Sequence, residues 1–102
     1  MITRIFSVVV HPELKAEFEV KFLNAALPDT LSAEGCLSVR IFKPTDCNPD
    51  TYLMISEWES IESLAAKFGA EWHLASIPAA MQKYKQSHSI QHFQSWSSQI
   101  DQ

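Results

Sequence analysis

The sequence predicts an α+β fold, with one antiparallel four-stranded sheet carrying two helices in the chain order β-α-β-β-α-β. Three observations predict it. The segment from Ile2 to Val10 and the segments from Cys36 and from Thr51 are β-branched and aromatic with strand-like alternation. Two stretches repeat apolar residues at helical spacing, Leu14, Phe18, Phe22 and Ala25 in one and Ile61, Leu64, Ala65 and Phe68 in the other. The 102-residue length fits one small domain spanning residues 1–102, with 97–102 expected to form a flexible tail.

Each element follows from its residues. Pro12 opens the first helix, where its missing N–H costs nothing, and Pro28 is expected to end it. "PDTLSAEG" then crosses to a second strand from Cys36 to Lys43. "PTDCNPD" is dense in turn formers and reads as a hairpin connection to a third strand, Thr51 to Trp58. Ser60 is placed to cap the second helix, and Gly69 to end or kink it. A further helical stretch is expected from Glu71, interrupted or restarted at Pro78. "SHSIQHFQSW" closes the order as a fourth strand. Short, unknotted connections make this a ferredoxin-like arrangement with both helices on one face of the sheet.

Composition narrows the function. At 46% hydrophobic and 20% charged the chain reads as globular, and no apolar run approaches the roughly 20 residues of a membrane span. "MITRIFSVVV" lacks a secretory cleavage pattern, so a cytoplasmic location is expected. The net charge is −4, with eight scattered Lys and Arg, which argues against nucleic acid as a partner. Cys36 and Cys47 are read as free thiols.

Alternation divides each strand between two faces. Leu37, Val39, Ile41, Leu53 and Ile55 form aliphatic sets expected to lie under the helices. Cys36, Ser38, Arg40, Phe42, Tyr52, Met54, Ser56 and Trp58 form mixed sets expected to point away from them. With Phe6 added, four rings on that mixed face would expose about 600–1,000 Å², more than a soluble monomer leaves uncovered. A second copy of the chain packed over this face, enclosing a cavity, is the expected solution, with Trp58 directed toward the dimer side.

The stretches "HPELKAEFE", "EGCLSVRIF" and "YLMISEWESIESL" carry a resemblance to the antibiotic biosynthesis monooxygenase family of the dimeric α+β barrel superfamily, running from Ile2 to about Trp96. The resemblance implies a homodimer of ferredoxin-like sheets. It also implies a cofactor-independent monooxygenase activity, in which a small aromatic or quinol-like anion reacts with molecular oxygen in a dry cavity. Trp58 matches the third-strand Trp that lines the cavity in polyketide-oxidising members and is the implied catalytic residue. Met54, Phe6, Ser56 and Lys67 stand where members carry Asn, Asn, an acidic residue and His. In a haem-degrading sister group the functional positions align with Ile77, Lys67 and Phe6, and none matches.

The expected substrate-binding residues are Phe6, Arg40, Tyr52, Met54, Ser56, Trp72, His73, His88 and His92. Arg40 among apolar groups needs an anionic partner, which an acidic side chain or a phenolate or carboxylate ligand would supply. Tyr52 either hydrogen-bonds a ligand carbonyl or packs. Trp72 and His73 are placed at the cavity mouth. His88 and His92 lie about 13 Å apart on a strand and cannot share one metal within a chain, so no metal is expected, and the resemblance, with Ile77 and Lys67 at the haem-group positions, implies no cofactor. A non-enzymatic dimeric binding module for an apolar small molecule is the alternative function.

Overall fold

The computed structural model describes residues 1–74 and 77–97. Four strands, β1 (Ile2–Val10), β2 (Cys36–Phe42), β3 (Thr51–Trp58) and β4 (Lys85–Gln94), form one antiparallel sheet in the order β2-β3-β1-β4. The arrangement is the ferredoxin-like one, with the helices on a single face: Phe18 and Phe22 of the first helical region pack tilted and edge-on against Tyr52, and Phe68 of the second packs on Trp58, both from β3. The core gathers Val8, Val10, Phe18, Phe22, Tyr52, Met54 and Tyr84. Among the described residues no helix is long and apolar enough to cross a membrane. The expected tail lies outside the described residues beyond Ser97.

The first helical region departs from a single helix ended by Pro28. Pro12 opens a short 3-10 turn that leads into α1 (Lys15–Lys21), a π-helical turn spans Phe22–Ala26, and α2 (Leu27–Leu31) follows with Pro28 in its first turn. The Leu27 N–H reaches back to the Phe22 carbonyl, so the wide turn breaks the regular ladder just before the proline. Pro28 then stands at a position where no N–H is needed. The additional residue in the turn also rotates the apolar stripe. Ala25 is therefore exposed, Ala26 packs against the core, and Thr30 is buried.

The assignment of the β3 faces is inverted. Tyr52, Met54, Ser56 and Trp58 are buried beneath the helices, while Leu53 and Ile55 face the other way. Cross-strand register explains this. Met54 pairs with Phe6 and Ile41, Tyr52 with Val8, and Ser56 with Arg4 and Val39, so these side chains share one face. Val39 and Ile41 pack on the core as expected, whereas Phe42 lies on the opposite face from Tyr52 and Trp58. Leu37 is 51% exposed because the β2–β3 register shifts between Cys36 and Ser38.

Ser60 caps α3 (Ile61–Phe68) by accepting from the Ser63 N–H at 3.2 Å. Leu64 is fully buried, but Ile61 at the first helical position is exposed. Gly69 ends the helix at φ +90°, a conformation only glycine adopts without strain. Among the described residues, the helix expected from Glu71 is replaced by turns as far as Leu74 and, further on, by a 3-10 segment, Ala79–Tyr84, for which Pro78 serves as the N-cap.

Candidate functional site

A cavity of about 150 Å³ opens between the sheet and the helices of one chain. Its walls are the rings of Phe6, Phe18, Phe22 and Phe68 and the flexible side chains of Met54 and Met81. Four residues bring polar groups to it: Arg4 and Ser56 from adjacent strands, and Asp29 and Thr30 from α2. The π-turn rotates α2 so that Thr30 turns inward. The cavity thus lies inside the protomer, and the expectation of a cavity walled by a mixed face pointing away from the helices is corrected.

Arg4 is the dominant electrostatic feature and was missed in the sequence reading. It is only 6% exposed. Its guanidinium lies 3.8 Å from the centroid of the Phe68 ring, a cation–π arrangement. Nη1 donates to the Trp72 carbonyl and to His92 Nε2, both at 2.9 Å. Because arginine only donates, His92 Nε2 accepts, and the imidazole proton sits on Nδ1. Among the described residues no carboxylate forms an ion pair with Arg4. Burial pushes its pKa down to about 10. Burial also lowers the pKa of His92, and the nearby Arg4 and His73 charges add to the effect. The signal was present, since Arg4 shares strand parity with Phe6 and Val8.

Ser56 is 1% exposed and accepts from Trp58 Nε1 at 2.8 Å. Trp58 is fully buried, with its ring edge-on to Phe68 at 5.6 Å between centroids. It therefore stands one layer behind the cavity wall, under its own helix, and its sole donor is engaged by Ser56. Of the residues expected at the site, Phe6, Met54 and Ser56 line the cavity. His92 and Trp72 hold Arg4 from behind, their rings meeting edge-to-face at 4.9 Å. His73 is exposed beside Trp72. His88 lies 6.4 Å from the Phe6 ring and accepts through Nδ1 from Lys85 at 2.9 Å.

Two expected residues are elsewhere. Tyr52 packs against Phe18 and Phe22 and donates to Glu19 Oε2 at 2.6 Å. Burial first, and then the hydrogen bond to Glu19, push the Tyr52 phenol well above the usual tyrosine range. Arg40 is exposed on the sheet face without helices, its guanidinium 5.2 Å from the Phe42 ring, and forms no ion pair among the described residues. No group of three or more His, Cys, Asp or Glu side chains among the described residues is placed to hold a metal ion.

The fold and this cavity define a small ferredoxin-like α+β protein with a mostly apolar cavity between its sheet and helices. The sequence model for antibiotic biosynthesis monooxygenases matches residues 1–96, and the chain belongs to that family. No curated protein matches it. Among solved structures it is similar to a variant of SnoaB, a cofactor-independent oxygenase from Streptomyces nogalater, with 14% identity, TM-score 0.75, and coverage of 98% of this chain and 97% of that one. It is also similar to a variant of MhuD crystallised with two manganese protoporphyrin IX per active site, with 18% identity, TM-score 0.73, and coverage of 99% and 100%. A Bordetella bronchiseptica protein that carries the same family name provisionally is 22% identical at TM-score 0.68, covering 94% and 97%. Likenesses at this identity establish the fold.

Proposed function

We propose that this chain is a cofactor-independent monooxygenase that oxidises a small aromatic, quinol-like compound with molecular oxygen, acting in the cytoplasm as a homodimer. The observation that carries this reading is the cavity of about 150 Å³ between sheet and helices, walled by phenylalanine and methionine and holding a buried guanidinium, in a member of this family. The ring lies between Phe6 and Met54 on the sheet side and the phenylalanines of the helices on the other, Arg4 and Ser56 meet its oxygen, and Trp58 acts through Ser56. Water exclusion and fixed donors are the protein's contributions to such a reaction. The balance closes without a separate reductant. A hydroquinone and one O2 give a hydroxyquinone and one water, with one oxygen atom forming the new ring C–O bond. The substrate supplies all four electrons, and the displaced ring hydrogen with one hydroxyl hydrogen leaves in the water.

The test is oxygen consumption with hydroquinone, catechol and their methyl derivatives, corrected for autoxidation without protein. We expect at least one compound to consume oxygen in proportion to enzyme, with one water-soluble quinone formed per O2. Uptake indistinguishable from the protein-free rate across the panel would reject the reading. One observation favours the second reading, a non-enzymatic binding module. Among the described lining residues, the only carboxylate, Asp29, is held by Lys67, and no histidine reaches the wall to accept a proton. Binding of the same compounds, measured by tryptophan fluorescence, without turnover would select it.

A further inference from the structure

Arg4 and Ser56 face each other directly across the β1–β3 ladder, and both open onto the cavity. Directly opposed residues on one sheet face hold their Cβ atoms about 5 Å apart, so their polar ends reach the same small volume. Each has donor capacity to spare. Among the described residues, the side-chain hydrogen bonds of Arg4 leave from Nη1 alone, although the guanidinium carries five N–H groups in a planar fork. Ser56 spends an acceptor site on Trp58, which leaves its own hydroxyl hydrogen to be donated, and among the described residues nothing accepts it. Both side chains are more than nine-tenths buried.

Among the described residues no carboxylate compensates the charge at this spot. Asp29, the one carboxylate on the cavity wall among the described residues, is held by Lys67 at 2.9 Å at the exposed rim. His92, packed against Arg4 from β4, contacts it as a neutral acceptor. A buried cation without a counter-ion is costly, and an anion arriving with the ligand would relieve that cost. The volume suits a single ring. An apolar cavity of 150 Å³ is the size that takes benzene, and this one has about that volume.

We propose that Arg4 and Ser56 form an oxyanion subsite for a single-ring phenol, which binds with its oxygen ionised. The proposal rests on reading the cavity as the ligand site, and it adds the selectivity: phenolate over phenol, and phenol over the matching ether. Arg4 supplies the charge and a hydrogen bond, Ser56 supplies a second hydrogen bond, and Trp58 holds Ser56 in the orientation that aims its proton inward. Charge-assisted hydrogen bonds of this kind are the strong ones.

The experiment uses 4-nitrophenol, whose ionisation is visible in its absorbance, and 4-nitroanisole, its neutral ether. In saturating wild-type protein the apparent pKa of 4-nitrophenol is expected to fall by about one unit, the size of effect one opposite charge produces. By calorimetry the ether is expected to bind at least about tenfold more weakly, the equilibrium equivalent of that unit. Arg4→Gln, checked for folding by circular dichroism, is expected to abolish the pKa shift, and Ser56→Ala to reduce it. The wild-type dye titration and the Ser56→Ala variant decide the matter even where Arg4→Gln fails to fold. An unshifted or raised dye pKa, or equal affinity for dye and ether, overturns the subsite and leaves the cavity reading standing. Binding of neither compound overturns both. Because no oxygen is consumed in this assay, loss of the monooxygenase reading would not disturb its outcome.

Discussion

Trp58 illustrates how a residue identified from its type can take a different role once its partners are fixed. Its N–H ends on Ser56 Oγ at 2.8 Å, and its ring is completely buried against Phe68. Trp58→Phe keeps most of that packing and removes one buried donor, which should cost about 1–2 kcal/mol in a denaturant titration. Trp58→Ala should cost about 3–5 kcal/mol, because a large cavity is left. If the indole instead touched the ligand, the Phe variant would keep its stability and lose binding. His92 gives a pH dependence. Its pKa lies below the ordinary value, because of burial first and then the Arg4 and His73 charges. The unfolded chain therefore binds the proton more readily. The stability His92 contributes is complete above about pH 6.5 and is lost as the pH falls through the lowered value in the folded protein. Urea midpoints compared across this range for wild type and His92→Gln should show the wild type losing more on acidification. Parallel curves would remove His92 from the account.

At the scale of elements, the strands and their order were legible because strand alternation and turn chemistry are local properties of the chain. "PTDCNPD" connects two adjacent strands, and Ser60 caps the helix that follows Trp58. The failures share a cause, namely one-residue changes of phase. The π-turn at Phe22–Ala26 moves the buried position from Ala25 to Ala26 and lets Pro28 continue the helix. The register shift near Cys36 exposes Leu37. On β3 the alternation separates the two sets as expected, but the buried set is Tyr52, Met54, Ser56 and Trp58. Alternation separates two sets of residues without saying which set meets the helices. Aliphatic Leu53 and Ile55 suit a sheet-to-sheet contact as well as a helix-covered core. The bulkier rings of Phe6, Tyr52 and Trp58 fill the deeper space under the helices.

For the whole molecule, the reversal changes what a partner would cover. The helix-free sheet face carries Ile5, Val9, Leu53 and Ile55, with Phe42 36% and Phe93 52% exposed. Ser7, Arg40, Ser89 and Gln91 lie among these apolar side chains, and for a mixed face of this kind a second copy packing sheet on sheet is the simplest symmetric cover. We expect sedimentation equilibrium at micromolar concentration to report twice the chain mass of 11.6 kDa. Leu53→Asp, which places a charge at the centre of that face, should shift the mass toward the monomer while leaving the circular dichroism unchanged. A wild-type monomer at that concentration would refute the dimer.

The sequence by itself determined the element order, the antiparallel ferredoxin-like topology and the family, because local alternation, turn chemistry and motif spacing survive without knowledge of contacts. It also supplied three residues of the cavity wall, Phe6, Met54 and Ser56. Only the tertiary structure decided that the cavity lies inside one protomer, that Arg4 rather than Arg40 brings charge to it, and that Trp58 serves Ser56. Arg4 and Arg40 are alike in the sequence, each a lone cation within an apolar strand. They differ in the face that pairing gives them. That face is set by register with distant strands and by the helices laid over them, so it follows from long-range packing that no local pattern contains.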